Sequence, residues 1–269
     1  MFCCIYFLRW LSSALLWWSL WLSVPLSREP TALYTAIKNR RSIVQTLCMI
    51  PARGGSKRLK RKNVRELCGK LLLAYSIEAA VESDVFDTVI VSIEDEEIAT
   101  VAEEYGATVP FTRPANLATD SAQVVDVIDH TLQYYDQQFS ELGVLFPTSA
   151  LGTASDVSQA YEKFTSHETA AFLMSVTDYQ YSPVQALSKQ DGYLKPFWDN
   201  QDVVESRSQD QPDLVVSNGA IYFMSVEAYK EQRTFYGDSL IGYHMPPERS
   251  VDIDEEFDLE FAEFLLERN

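Results

Sequence analysis

The chain has 269 residues, 46% hydrophobic and 23% charged, with 22 Lys and Arg against 39 Asp and Glu for a net charge of -17. That supports one sizeable core, and the acidic balance excludes an extended nucleic-acid surface, which needs distributed cations. The four cysteines (Cys3, Cys4, Cys48, Cys68) form no CxxC pair, and no HExxH or GxSxG motif occurs, so a zinc framework, a disulfide scaffold, a zincin and a serine hydrolase lack support.

Residues 2–25 (FCCIYFLRWLSSALLWWSLWLSVP) carry Arg9 as their one charge, and Arg28, Lys38, Arg40 and Arg41 follow. The run is long enough to span a bilayer, and the trailing cations would keep the downstream chain cytoplasmic. The alternative is a start assigned too far upstream. Segment 1–41 is therefore read as an anchor or a mis-assigned start, with the folded domain at 42–269; the second explanation is preferred. From Ser42 onward short apolar runs alternate with helical patterns. A buried strand is expected at 43–51, a helix at 70–83, a β-branched strand at 88–93, and a helix from Glu94 stopping at Gly106. A short strand at 107–111 and a long helix at 121–138 come next. After them the pattern predicts a strand at 143–146, a helix capped by Thr153 with Asp156 three positions on, and a strand at 170–176. Residues 178–217 are polar, interrupted by Pro183, Pro196 and Pro212, and read as an insertion, a small arm suited to meet a second subunit. The core resumes with a strand at 218–224, a helix near 225–235, a strand near 240–245 and a last helix over 255–268. This order predicts an α/β fold: a mainly parallel sheet with helices on both faces and a small inserted arm, with ligands at the carboxyl ends of the strands.

The loop after the first strand is PARGGSKRLKRKN, residues 51–63, and eight of the 22 Lys and Arg fall within positions 53–70. One basic cluster in an acidic protein suits a small anion, although a solvated basic face or a nuclear address would look similar. Gly54 and Gly55 allow a sharp turn that brings N–H groups to phosphate oxygens, Ser56 adds a hydroxyl, and Arg53 and Lys57 add charge. The loop is neither GxxxxGK[ST] nor GxGxxG. Near the C-terminus, RSVDIDEEFDLE places Asp252 and Asp254 two apart at the end of an expected strand, so that period two would send both carboxylates to one side. Such a pair suits Mg²⁺ beside nucleotide phosphates. The same residues also suit a helix N-cap at Asp254 ahead of Glu255 and Glu256.

IPARGGSKRLKRKN closely resembles the signature of acylneuraminate cytidylyltransferases, the CMP-sialic acid synthetases, whose relatives activate legionaminic and pseudaminic acids. The resemblance spans about residues 46–268 and includes VSIEDEEIATVAEEYGATVPFTRPANLATDSA, VLFPTSALGTASDV and SRSQDQPDLVVSNGAIYF. It implies a fold of the nucleotide-diphospho-sugar transferase type, with residues 178–217 forming a dimerisation arm of a homodimer. The implied activity is transfer of CMP from CTP to the anomeric hydroxyl of an acidic nine-carbon (nonulosonic) sugar, with release of pyrophosphate, in the cytoplasm; a signal peptide, which would part the enzyme from CTP, ranks last. Arg53, Gly54, Gly55, Ser56, Lys57, Lys62 and Asn63 would hold the nucleotide, with Arg113 and the Thr119–Ser121 turn near the base and ribose. Arg207, Gln209 and Asn218 would be the sugar-side positions. Asp252 and Asp254 match the family's metal pair for Mg²⁺ or Mn²⁺, and with Arg53 and Lys57 would be catalytic. Phe146, Ala150 and Gly152 depart from the family's Gln, Pro and Arg, which points away from N-acetylneuraminate. The Ser-Arg-Ser-Gln-Asp stretch leans toward pseudaminic-type relatives, and Asn-Gly-Ala-Ile-Tyr leans back. A nucleotidyltransferase for another sugar or nucleotide, and a non-catalytic nucleotide-binding module, are the alternatives.

Overall fold

The computed structural model describes residues 44–136, 138–198 and 204–268. The apolar segment 1–41 therefore lies outside the described residues; among those described, no helix is long and apolar enough to cross a membrane. Five strands of the central sheet run one way: β1 (Thr46–Pro51), β4 (Thr88–Ser92), β5 (Glu141–Leu145), β6 (Phe172–Asp178) and β10 (Leu240–His244). β9 (Val215–Ser225) lies between β5 and β6 and runs against both, giving the order β10-β6-β9-β5-β1-β4. Two small antiparallel hairpins complete the strands: β2 (Glu66–Leu67) with β3 (Lys70–Leu71), and β7 (Leu187–Gln190) with β8 (Tyr193–Pro196).

Alternate residues of β1 feed two cores, as the two-residue strand period requires. Cys48 and Ile50 face α1 (Leu72–Glu82), α2 (Glu96–Glu104) and α4 (Ala154–Ser166) through Ile77, Ile98, Ala102, Val157 and Phe164. Leu47 and Met49 face α3 (Val124–Tyr134) and α5 (Val226–Gln232) through Val127, Ile128, Val226 and Tyr229. Helices thus cover both faces of a mainly parallel sheet. A third cluster, with Leu59, Leu67, Leu72 and Ile253, packs α6 (Glu256–Leu266) over the loop side.

The elements begin where their caps are. Asp95 Oδ1 accepts from Glu97 N at 3.0 Å and Ile98 N at 3.2 Å to start α2. The expected Thr153 cap forms a reciprocal capping box with Asp156.

Four local expectations are corrected. Residues 107–111 form no strand: Thr108 makes an isolated bridge to Ile90, and Pro110, which has no N–H, cannot extend the ladder. Lys70 and Leu71 belong to β3 rather than to the helix, because Cys68 and Gly69, at φ 48° and 78°, close a tight hairpin. The expected helix at 121–138 is only Val124–Tyr134; Gln123 caps its start, and Asp136, at φ 43°, breaks the helical path beyond its end. Residues 251–254 are not a strand, and the cap of α6 is Glu255, boxed with Asp258, not Asp254.

Candidate active site

The loop from Pro51 to Asn63 leaves the carboxyl end of β1 and is pinned from several sides. Asn63, buried, donates Nδ2 to Arg53 O at 2.8 Å. Gly54 N–H donates to Glu94 Oε1 at 2.8 Å, and a Cβ at Gly54 would sit 3.0 Å from Asp95 Oδ2, so a side chain there would crowd the acidic start of α2. Arg61, at φ 54°, reaches Glu97 Oε2 at 2.5 Å and Asp95 Oδ2 at 3.6 Å. The acidic start of α2 therefore holds the basic loop in shape. Glu94 Oε2 is buried with no hydrogen-bond partner among the described residues.

Between this loop and α3 opens a cleft of about 590 Å³. Arg53, Ser56, Lys57, Arg58, Lys62, Asn63 and Arg113 line it, together with Asp120 and Asp254, and Leu117, Val127 and Phe146 supply apolar surface. The cations divide between the two carboxylates. Arg53 Nη1 meets Asp120 Oδ1 at 2.9 Å, and Lys57 Nζ pairs with Asp120 Oδ2. Arg58 Nη2 meets Asp254 Oδ2 at 2.7 Å, and Lys62 Nζ meets Asp254 Oδ1 at 2.8 Å.

These pairs set the protonation states. The Lys57 ammonium, then Arg53, hold the Asp120 carboxyl below the usual range. Burial alone would raise Asp254, but Lys62 and Arg58 outweigh it and keep that carboxyl low. Arg113 is buried, donates Nε to Ser92 Oγ at 3.1 Å and also donates to Ser92 O. Burial pushes its guanidinium down to about 10, with Glu94 opposing and Arg53 adding repulsion. It stays charged at neutral pH among the residues that line the cleft.

A second cavity of about 370 Å³ involves Asn218, Gly219 and Tyr222 of β9, Thr177 of β6, and Ser250 and Asp252 of the 249–254 segment. Thr177 Oγ1 is buried there without a partner among the described residues. The amide of Asn218 is engaged by the scaffold: Oδ1 accepts from Ser175 Oγ at 2.5 Å, and Nδ2 donates to Ser250 Oγ at 2.9 Å. Ser175 sits at an irregularity in the β6–β9 ladder and also accepts Ile221 N–H at 2.8 Å, so a local bulge aims this network.

The segment bearing the two aspartates is fixed at three points. Arg249 forks onto Asp156, with Nε and Nη2 each 2.9 Å from a carboxylate oxygen. Ser250 meets Asn218, and Ile253 N–H donates to Thr148 O at 2.9 Å. The outcome differs from two carboxylates on one side of a strand: Asp254 opens on the loop cleft and Asp252 on the second cavity. The arrangement brings Arg53, Ser56, Lys57, Lys62, Asn63, Arg113 and Asp254 together. Ser121 lies at the rim, its Oγ 3.2 Å from Thr119 Oγ1. Arg207 and Gln209 are exposed on the insertion, and Arg207 pairs with Asp210 at 2.8 Å. Sequence reasoning missed Glu94 and the pairing of Asp120 with Arg53 and Lys57. It read Asp156 as the acid three positions after the Thr153 cap and not as the anchor of Arg249. An acid in a turn, or one three residues past a Thr, shows which helix it caps but not which distant cation it meets.

The family model described as Cytidylyltransferase matches residues 47–262. The chain is 37% identical over 229 residues to a pseudaminic acid cytidylyltransferase of Campylobacter jejuni, covering 84% of this chain and 98% of that protein. It is 32% identical over 234 residues to a CMP-N,N'-diacetyllegionaminic acid synthase of Legionella pneumophila, covering 84% of this chain and 98% of that protein. In fold it is similar to a CMP:2-keto-3-deoxy-manno-octonic acid synthetase complexed with CTP, with a TM-score of 0.61 at 14% identity over 83% of this chain and 99% of that one. The sheet order, the cationic cleft at its carboxyl end and the match across 47–262 agree: the chain belongs to the cytidylyltransferase family and is a nucleotidyltransferase.

Proposed function

We propose that the protein joins CMP, taken from CTP, to the anomeric hydroxyl of a nonulosonic acid of the pseudaminic or legionaminic kind. The observation that carries this reading is the loop cleft itself. Four cations from one loop, a buried Arg113 and the Asp254 carboxylate face a single volume beside a second cavity that holds Asp252. The triphosphate would lie against Arg53, Ser56, Lys57 and Lys62, with Asn63 keeping the loop in register and Arg113 below the nucleoside. The acceptor would lie toward Ser217, Ser250 and Asp252. Its anomeric oxygen forms a bond to the α-phosphorus while the bond to pyrophosphate breaks, and the hydroxyl proton leaves to solvent. Fixed cations around the phosphates stabilise charge that grows on the departing oxygens.

Asp254 on the loop cleft, with Asp252 on the neighbouring cavity, would hold Mg²⁺ or Mn²⁺ once nucleotide phosphates take over Arg58 and Lys62, the present partners of Asp254: Mg²⁺ prefers one or two carboxylates completed by phosphate oxygens and water. Once bound, such an ion supplies charge neutralisation and a more acidic nucleophile. The wall between the cavities is aromatic, with Phe146 5.7 Å from Tyr222 and Tyr222 4.8 Å from Phe235 between ring centroids. An apolar wall favours an acceptor that presents few hydroxyls on that side. The insertion exposes Tyr193, Leu194, Phe197 and Trp198, a surface suited to a homodimer contact that would carry Arg207 and Gln209 with it. A cytoplasmic location follows from the need for CTP.

Pyrophosphate release measured with each NTP against a panel of acidic sugars tests the reading. Turnover is expected with CTP and a nonulosonic acid only, to stop with chelator and return with Mg²⁺, and to be abolished in Asp252→Ala with the thermal midpoint unchanged. Full activity in that variant, or equal turnover with other nucleotides, overturns the assignment.

A further inference from the structure

We propose that Asp120 is an internal counter-anion of the polyphosphate site: it competes with nucleotide phosphates for Arg53 and Lys57, and so limits how tightly pyrophosphate is held. This rests on the reading of the loop cleft as the triphosphate site.

The two cations converge on one carboxylate 67 and 63 positions further along the chain, and all three side chains line the same cleft. An anion placed among the cations has one of two effects. It can order the loop, in which case removing it weakens phosphate binding. Or it can occupy charge that phosphate needs, in which case removing it tightens binding. The surroundings decide between these. The loop is already held by Asn63 on Arg53 O, by Glu94 on Gly54 N–H, and by Arg61 on Asp95 and Glu97, none of which involves Asp120. Loop shape therefore does not need the Asp120 carboxylate.

The pairs it makes are also easily exchanged. Asp120 is 47% exposed and Lys57 80% exposed, so solvent screens both ends and the bonds are individually weak. A phosphate with several charged oxygens makes stronger, multidentate contacts with the same groups. CTP therefore displaces the carboxylate, while pyrophosphate must leave against a resident anion ready to take back its cations. Asp254 differs in this respect. Its neighbours are fixed through Ile253 and through Asp258, which accepts Asp254 N–H at 2.9 Å, and it pairs with Arg58 and Lys62, the other two loop cations that line the cleft. Asp120 stands on a turn ahead of α3 with Thr119 and Ser121 bonded to each other, free to swing away without moving a helix.

The test is calorimetric titration of the full chain with inorganic pyrophosphate and with CTP at fixed ionic strength, comparing wild type, Asp120→Asn and Asp120→Glu. Asp120→Asn is expected to bind pyrophosphate about three- to ten-fold more tightly, with the product-inhibition constant falling by the same factor, and Asp120→Glu to return toward wild type. Asp120→Ser serves the same comparison if the amide variant fails to fold. Unchanged or weaker pyrophosphate binding in the charge-removed variants overturns the counter-anion. A wild type that binds neither CTP nor pyrophosphate overturns the reading of the cleft as well, which separates the two failures.

Discussion

Replacing Arg249 with Met removes the fork that reaches Asp156 while keeping an apolar stem of similar reach. Asp156 is 1% exposed and Arg249 38% exposed at the side chain, so the carboxylate is buried and its cation only partly so. Breaking a fully buried pair costs about 3 to 5 kcal/mol. Solvent around Arg249 lowers that figure, and three donors remain on Asp156: Thr153 N–H at 3.0 Å, Thr153 O–H at 2.7 Å and Tyr243 O–H at 3.2 Å. The expected loss is then about 2 to 3 kcal/mol, or roughly 4 to 12 °C in thermal midpoint for a domain of this size.

The pH dependence has a definite sign. Burial alone would raise the Asp156 carboxyl, but the bonds from Arg249 and Thr153 outweigh it and hold it below the ordinary carboxylate range. A carboxyl lowered in the folded state contributes its stability above its unfolded value and loses it as pH falls through its folded one. Without Arg249 its share of the downward pull is gone while the Thr153 bonds remain, and protonation of Asp156 relieves the buried charge left without its cation. The deficit of Arg249→Met should be full near pH 7 and shrink on acidification through the carboxylate range. Urea unfolding of both proteins from about pH 7 down to about pH 3 measures it. A variant as stable as its parent at neutral pH, or a deficit that grows in acid, refutes the reasoning. Since Arg249 also anchors the segment that carries Asp252 and Asp254, turnover should fall further than stability accounts for.

A Cβ at Gly143 of β5 would lie 2.4 Å from Phe86 Cε1 and 3.2 Å from Phe223, so Gly143→Ala should cost about 1 to 3 kcal/mol by calorimetry while leaving CTP binding at low temperature intact. On the β7–β8 hairpin, Tyr193 is 75% exposed, Leu194 62% and Phe197 61%; Leu194→Glu with Phe197→Glu should shift sedimentation from dimer to monomer, and an unchanged profile would remove the arm from the interface.

The loop's place on a cleft was legible because its signal is contiguous: glycine, hydroxyl and cations sit within a few positions after an apolar run. The helix cap at Thr153 was legible for the same reason, whereas the helix expected from Glu94 starts after the Asp95 cap. What the sequence hid is contact at long separation. Nothing local in TDS marks Asp120 as the partner of Arg53, and nothing in TASD marks Asp156 as the anchor of Arg249, 93 positions away. Strand direction was hidden too, since an apolar run such as NGAIYFM buries the same faces whichever way it runs. The separation of Asp252 from Asp254 was misjudged on the same footing. A two-residue spacing implies a shared side only in a strand, and here tertiary bonds to Thr148, Asn218 and Asp156 shape the backbone instead.

The reversed direction of β9 has a consequence for how this protein can be altered. The chain leaves the sheet after Asp178 and re-enters at Val215, and these two residues are paired directly across the ladder. Everything between them begins and finishes at one doorway on the rim. Such an excursion can be shortened, lengthened or swapped for that of a relative with little loop-closure penalty, while both cores stay as they are. If the outer piece governs pairing with a second copy and choice of acceptor, then a new acceptor preference is reachable by exchanging one cassette, with the machinery for activating the nucleotide untouched.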